Sequence, residues 1–150
     1  MSDPAEIGAV PVQTAEYSEV SFRYLLESES KRSERSGHGY HVLLVYHTDE
    51  KGVVRPLDSV ASRTVMAVTS RCVRETDYIG WYRDGHVVGG VLTVVESDSI
   101  TNLRARVLTN LREQLLREFG VEGCAHFHVR IYHHNELKER LTGNHLFLMN

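Results

Sequence analysis

Arg74-Glu75-Thr76-Asp77-Tyr78-Ile79-Gly80-Trp81-Tyr82-Arg83-Asp84-Gly85-His86-Val87 is the stretch from which the fold is read. Two β-rich runs, Tyr78 to Tyr82 and His86 to Val95, are joined through Asp84-Gly85. Asp-Gly is a hairpin signal because the tight turns that match strand twist need positive φ at their centre. Just upstream, Leu57, Val60, Ala61, Val65, Val68 and Cys72 recur at helical spacing and predict a helix ending near Arg74. Downstream, Ile100, Leu103, Val107, Leu111 and Leu115 fall on one face of a helix that starts at about Ser99, an N-cap type, and stops at Gly120. The core of the chain thus reads as helix, hairpin, helix.

The flanks complete the pattern. Ala15 to Arg35 is helix-permissive, with Tyr17, Phe22, Leu25 and Leu26 as apolar anchors, and Ser36-Gly37-His38-Gly39 breaks it. His41-Val42-Leu43-Leu44-Val45-Tyr46-His47 is a continuous apolar run of a length suited to a central strand buried on two faces. Thr48-Asp49-Glu50-Lys51-Gly52 is a turn, Cys124 to Tyr132 a further strand, and His145 to Met149 a short edge strand. Residues 1–14 hold two of the three prolines and read as a flexible leader, leaving 15–150 as one domain. The order α-β-α-β-β-α-β predicts an α+β sandwich of the ferredoxin-like kind, with a mostly antiparallel central sheet and helices packed on one face.

Bulk composition narrows the class. A chain of 150 residues fits one domain that buries about two thirds of its unfolded surface. Apolar content of 41% and charged content of 25% are ordinary for a globular protein. A net charge of −3 argues against a polyanion-binding surface, so no nucleic acid partner is expected. Cys72 and Cys124 lack metal spacing and read as buried thiols in a reducing compartment. No signal-peptide pattern opens the chain, and the longest apolar run, Val87 to Val95, is too short to span a membrane. These features point to a cytoplasmic protein without a membrane partner.

The order and spacing together resemble the GGDEF (diguanylate cyclase) domain, over roughly Phe22 to Tyr132. Phe22, Leu25, Leu26, Arg32, Arg35, Gly37 and Leu43-Leu44-Val45 resemble that family's passage from first helix to first strand. Val73-Arg74-Glu75-Thr76-Asp77-Tyr78-Ile79 resembles its second helix ending in Arg-Glu-x-Asp before a strand. The resemblance implies the palm-type fold shared with nucleotide cyclases and, in active members, synthesis of cyclic di-GMP from two GTP molecules across a homodimer. That reaction needs two Mg²⁺ ions, which prefer carboxylates. The family takes one carboxylate from the end of the first strand, here Tyr46 or His47, and one from the hairpin loop, here Gly85 or His86. Arg83-Asp84-Gly85-His86-Val87 stands where the catalytic loop would be, and Arg83 and Asp84 replace the paired glycines. Asp49 and Asp84 are displaced from the family positions, and the link from first strand to second helix is several residues short. The resemblance therefore implies a degenerate, catalytically inactive domain that uses no cofactor.

Many members of that family also grip cyclic di-GMP with an inhibitory Arg-x-x-Asp pair. A guanidinium can donate two parallel hydrogen bonds to guanine O6 and N7, and a carboxylate can accept from N1–H and the amino group. Arg74 and Asp77 occupy the matching place, and Arg104 or Arg106 would be the further arginine from the third helix. The resemblance thus implies a regulatory domain that senses cyclic di-GMP and signals by dimerising or docking on a protein. Set against it is a local ion pair, Arg74 with Asp77, at the negative end of a helix. The alternatives are a nucleotide-independent scaffold and residual cyclase activity. Arg55-Pro56-Leu57-Asp58 is a second Arg-x-x-Asp with no assigned role.

Other residues carry weaker signals. His126 and His128 share a strand face, with His133-His134 nearby; without a matching cysteine or carboxylate they read as sheet-surface histidines rather than zinc ligands. His47 and His86 are expected near each other at neighbouring strand ends. Of the two faces of the strand carrying Trp81 and Tyr82, one is assigned to the core, the use favoured for Trp81, and the other to an interface; Gly89-Gly90 is assigned to a bulge or a close backbone approach. Glu27 to Arg35 is a solvated helix face.

Overall fold

In the computed structural model, residues 16–93 and 100–136 are described. The leader at 1–14, the Ser99 cap and the edge strand His145–Met149 lie outside them. Nine elements follow in order: β1 Glu16–Tyr17, α1 Glu19–Ser36, β2 Tyr40–Thr48, β3 Val54–Arg55, α2 Ser59–Cys72, β4 Tyr78–Arg83, β5 Val87–Thr93, α3 Ile100–Cys124 and β6 Phe127–His133. The predicted order α-β-α-β-β-α-β is present, with two added two-residue strands.

The first helix begins later than predicted. Glu16 and Tyr17 pair in parallel with Ile79 and Gly80 instead. Ser18 then caps α1, its hydroxyl accepting from the Ser21 N–H at 3.3 Å. Gly37 ends it at φ 79°, a conformation glycine adopts without a Cβ penalty, and its N–H bonds Ser33 O at 2.8 Å. The third helix breaks at Gly120, as expected, where φ 77° and ψ 173° are non-helical, and a separate short helical turn runs on to Cys124.

β2 is the spine of the sheet. It pairs antiparallel with β5 on one side and β6 on the other, and β4 continues the sheet beyond β5. Alternate side chains of a strand face opposite sides. Leu43 and Val45 therefore join Val65, Val68, Leu103, Val107 and Leu111 under α2 and α3. Val42, Leu44 and Tyr46 join Phe22 and Tyr82 under α1. Helices thus cover both faces, a correction to the one-sided packing expected. The physical reason is the strand itself: an apolar run on both sides of the pleat needs cover on both.

Phe22 fixes α1 to the sheet. It is fully buried, and its ring lies over Gly80 and Gly89, which face each other across the β4–β5 pair. A Cβ at Gly89 would stand 2.8 Å from the Phe22 ring, and one at Gly80 would stand 2.6 Å from Tyr17 O. Gly89 is therefore a close-approach glycine. The bulge lies elsewhere, where the pairing skips between Trp81 and Arg83.

Candidate functional site

The β4–β5 turn, Asp84-Gly85-His86, is stitched to the body on both sides. Asp84 Oδ1 accepts from the Glu19 N–H at 3.1 Å, and Glu19 Oε1 accepts from the Asp84 N–H at 2.8 Å. The carboxylate of Asp84 thus serves the first turn of α1, where orphan N–H groups and the helix dipole favour an anion. On the other side, Gly85 O accepts from the Leu57 N–H at 2.8 Å. Within the turn, His86 N–H bonds Arg83 O at 3.0 Å, and His86 Nδ1 lies 2.8 Å from Asp84 O. Arg83 is half-buried, and Val87 is fully buried beneath α1.

The neighbouring end of β2 is equally committed. Thr48 Oγ1 and His128 Nε2 are 2.8 Å apart, and His128 stacks on Tyr46. Asp49 accepts from the Lys51 and Val53 amides at 2.9 and 3.0 Å. The Val53 N–H above all, helped by Lys51, Arg55 and Gly52, holds its carboxyl below the usual value. His47 meets Phe127 at 5.0 Å and His126 at 6.3 Å. Burial first, and His126 second, lower its pKa. The ring contacts of His47 are thus with His126, in the turn before β6, and with Phe127 at its start, while His86 bonds its own turn. Among the described residues no group of three or more His, Cys, Asp or Glu is placed to hold a metal ion.

Arg74 and Asp77 do come together, at the far end of the hairpin. Asp77 is 3% exposed. Its Oδ2 accepts from the Arg74 backbone N–H at 2.8 Å, and its Oδ1 from Thr93 N–H at 3.0 Å and Thr93 Oγ1 at 3.2 Å. Arg74 Nε stands 3.7 Å from Asp77 Oδ2, and Arg74 Nη2 donates to Thr93 O. The pair is a clasp that fastens the α2–β4 link to the end of β5. Thr93, which completes it, was not singled out from sequence; a lone threonine at a strand end gives no signal of its own.

The further arginines diverge. Arg104 Nη2 donates to Ile131 O at 2.7 Å and lies 4.0 Å from Glu136, so it serves β6. Arg106 is exposed on α3. In the second Arg-x-x-Asp, Asp58 caps α2 by accepting from the Ala61 N–H at 2.8 Å, while Arg55 lies on β3. Trp81 is half-buried against the α2/α3 core, and Tyr82 is buried beneath α1, with the Arg23 guanidinium 4.5 Å from its ring centre. His126 is exposed and His128 half-buried. His133 and His134 gather with His41, a buried histidine the sequence reading passed over as strand core.

No protein-family model and no curated protein sequence matches the chain. Several solved structures share its fold, two of them diguanylate cyclases. One is a DGC (diguanylate cyclase) protein from Thermotoga maritima, 18% identical, with a TM-score of 0.52 over 82% of each chain. The other is the diguanylate cyclase SiaD from Pseudomonas aeruginosa in complex with its activator SiaC, also 18% identical, with a TM-score of 0.57. That match covers 93% of this chain and 55% of SiaD. The fold is therefore the diguanylate cyclase fold, as the resemblance implied. No described helix is long and apolar enough to cross a membrane.

Proposed function

We propose that this chain is a catalytically silent regulatory domain on a diguanylate cyclase fold, acting through contact with a protein partner or a second copy of itself. The observation that carries this reading is the exchange of hydrogen bonds between Asp84 and Glu19. Joining two GTP molecules develops charge on the attacking and leaving oxygens, which paired hard cations on carboxylates stabilise. Here the acidic groups nearest the hairpin tip are engaged in a helix cap (Asp84 with Glu19), a local turn (Asp49) and an N-cap (Asp58). Recruiting them for metal would undo the ends of α1 and α2. A protein partner is in keeping with SiaD, which its activator SiaC binds.

A second reading is a cyclic di-GMP receptor at Arg74 and Asp77, joined by Arg104 or Arg106. Its support is that the Arg74 side chain keeps 34% of its surface exposed, enough for a planar guanidinium to meet a guanine edge or a phosphate. The closure of Asp77 favours protein docking over this reading. Two measurements on the full chain separate them. Incubation with GTP and Mg²⁺ followed by chromatography is expected to yield no dinucleotide; product that persists in Arg74→Ala would end the claim of silence. Calorimetry with cyclic di-GMP is expected to show no heat at high micromolar ligand. Saturable heat that vanishes in Arg74→Ala would establish the receptor instead.

A further inference from the structure

Among the described residues, β6 is held to the sheet by β2 alone. Near its C-terminal end three histidines converge. His41 sits directly across from His133, their rings edge-to-face with centres 5.4 Å apart. His133 lies 4.2 Å from His134, which stacks on Tyr40 at 4.9 Å. His41 is fully buried, and neither ring nitrogen has a hydrogen-bond partner among the described residues. A buried polar side chain in that state is costly, and gaining a proton there makes it costlier.

On balance the surroundings disfavour positive charge on His41. His133 faces His41 from β6, and His134 flanks it from the turn that follows. The Arg104 guanidinium reaches over from α3 to Ile131 O. On the β5 side the facing residue, Leu92, is apolar. Glu136 opposes this, 4.0 Å from Arg104, while its carboxylate also accepts the His133 N–H at 2.7 Å.

We propose that the His41–His133–His134 cluster is an acid-sensitive latch: it seats β6 on β2 at neutral pH and releases it as His41 gains a proton. A charge on His41 would be fully desolvated, with His133 directly across the strand pair and no hydrogen-bond partner among the described residues to receive it. Burial first, then His133, Arg104 and His134, bring the His41 pKa down to about 4, with Glu136 pulling the other way. A histidine neutral when buried but protonated when released makes the closed state lose ground as pH falls below its free value near 6.5. The loss grows until the pH reaches the folded value near 4. Between pH 7.5 and 5.0 the linkage multiplies the opening equilibrium by roughly thirtyfold. An edge strand is the element that can be released without breaking the spine of the sheet.

Amide hydrogen exchange on the full chain tests this. The β6 amides are expected to show lower protection than those of β4 at each pH, and to lose about thirtyfold between pH 7.5 and 5.0. In His41→Leu, which keeps volume and removes the titrating group, β6 protection is expected to stay flat. Equal protection in β4 and β6, no pH dependence in β6, or a dependence that survives in His41→Leu overturns the latch. Should His41→Leu fail to fold, the wild-type ring decides by NMR titration. A His41 resonance that moves below pH 5 supports the latch, and one that moves near 6.5 overturns it.

Discussion

Replacing Asp77 with alanine separates a structural clasp from a ligand grip. The side chain is 3% exposed and accepts two backbone N–H groups, from Arg74 and Thr93, and one hydroxyl, from Thr93. Deleting it leaves those buried donors without acceptors, at about 1–3 kcal/mol each, and removes the carboxylate that stands 3.7 Å from Arg74 Nε. Because the losses share one network they do not add fully, and a total of about 3–5 kcal/mol is expected. Against a typical stability of about 5–15 kcal/mol, that is a large fraction. Urea titration followed by Trp81 fluorescence reads it as a fall in the midpoint of about 1.5–2.5 M, for a slope near 2 kcal/mol/M. Arg74→Ala removes a group one-third exposed, whose acceptor can turn to water, and should cost only about 1 kcal/mol. Thr93→Val keeps the backbone bonds and loses one hydroxyl, for about 0.5–1.5 kcal/mol. The ordering Asp77→Ala well above Thr93→Val and Arg74→Ala is the signature of a clasp. If Asp77→Ala stands within about 1 kcal/mol of wild type, the carboxylate is not a fastening and the reasoning fails; it would then be free to meet a ligand.

Gly89→Ala places a methyl 2.8 Å from the ring of Phe22, which is fully buried and cannot swing aside. It should cost about 1–3 kcal/mol, and the cost should shrink in a Phe22→Leu background; equal costs in both backgrounds would show that the ring is not what the methyl meets. Asp84→Ala removes the acceptor at the first turn of α1 and should cost about 0.5–2 kcal/mol with little change elsewhere. Denaturant titration checks it, and a neutral result would mean that Ser18 alone caps the helix.

The architecture was legible because its signals are local and periodic. The Asp84-Gly85 turn, the two-sided apolar run of β2 and the four-residue spacing from Leu103 to Leu115 each name an element without tertiary help. What sequence spacing did not disclose was mutual placement. Nothing local says that Glu19 and Asp84, 65 residues apart, exchange hydrogen bonds, because each is an ordinary surface acid until the fold joins them. His41 hid for a related reason: inside an apolar run it looks like a strand-end polar residue, and only cross-strand register puts His133 opposite it. The start of α1 was misplaced because Glu16 and Tyr17 suit a helix intrinsically, and pairing with β4 overrides that preference.

The fate of the carboxylates connects these observations. A metal-dependent transferase needs acidic side chains left unsatisfied by the protein, so that a cation can complete their coordination. In this chain Asp49, Asp58, Asp77 and Asp84 each satisfy backbone N–H groups: a turn, a helix N-cap, a strand clasp and a helix first turn. Each bond lowers the free energy of the fold and raises the cost of releasing that oxygen to a cation. A single new acid at His86 would not reverse this, because the opposing position at the end of β2 is His47, packed on Phe127, and the nearest aspartate would have to abandon its turn. On the proposed reading, stability of the frame and metal binding at its tip therefore draw on the same side chains, and these four aspartates serve the frame.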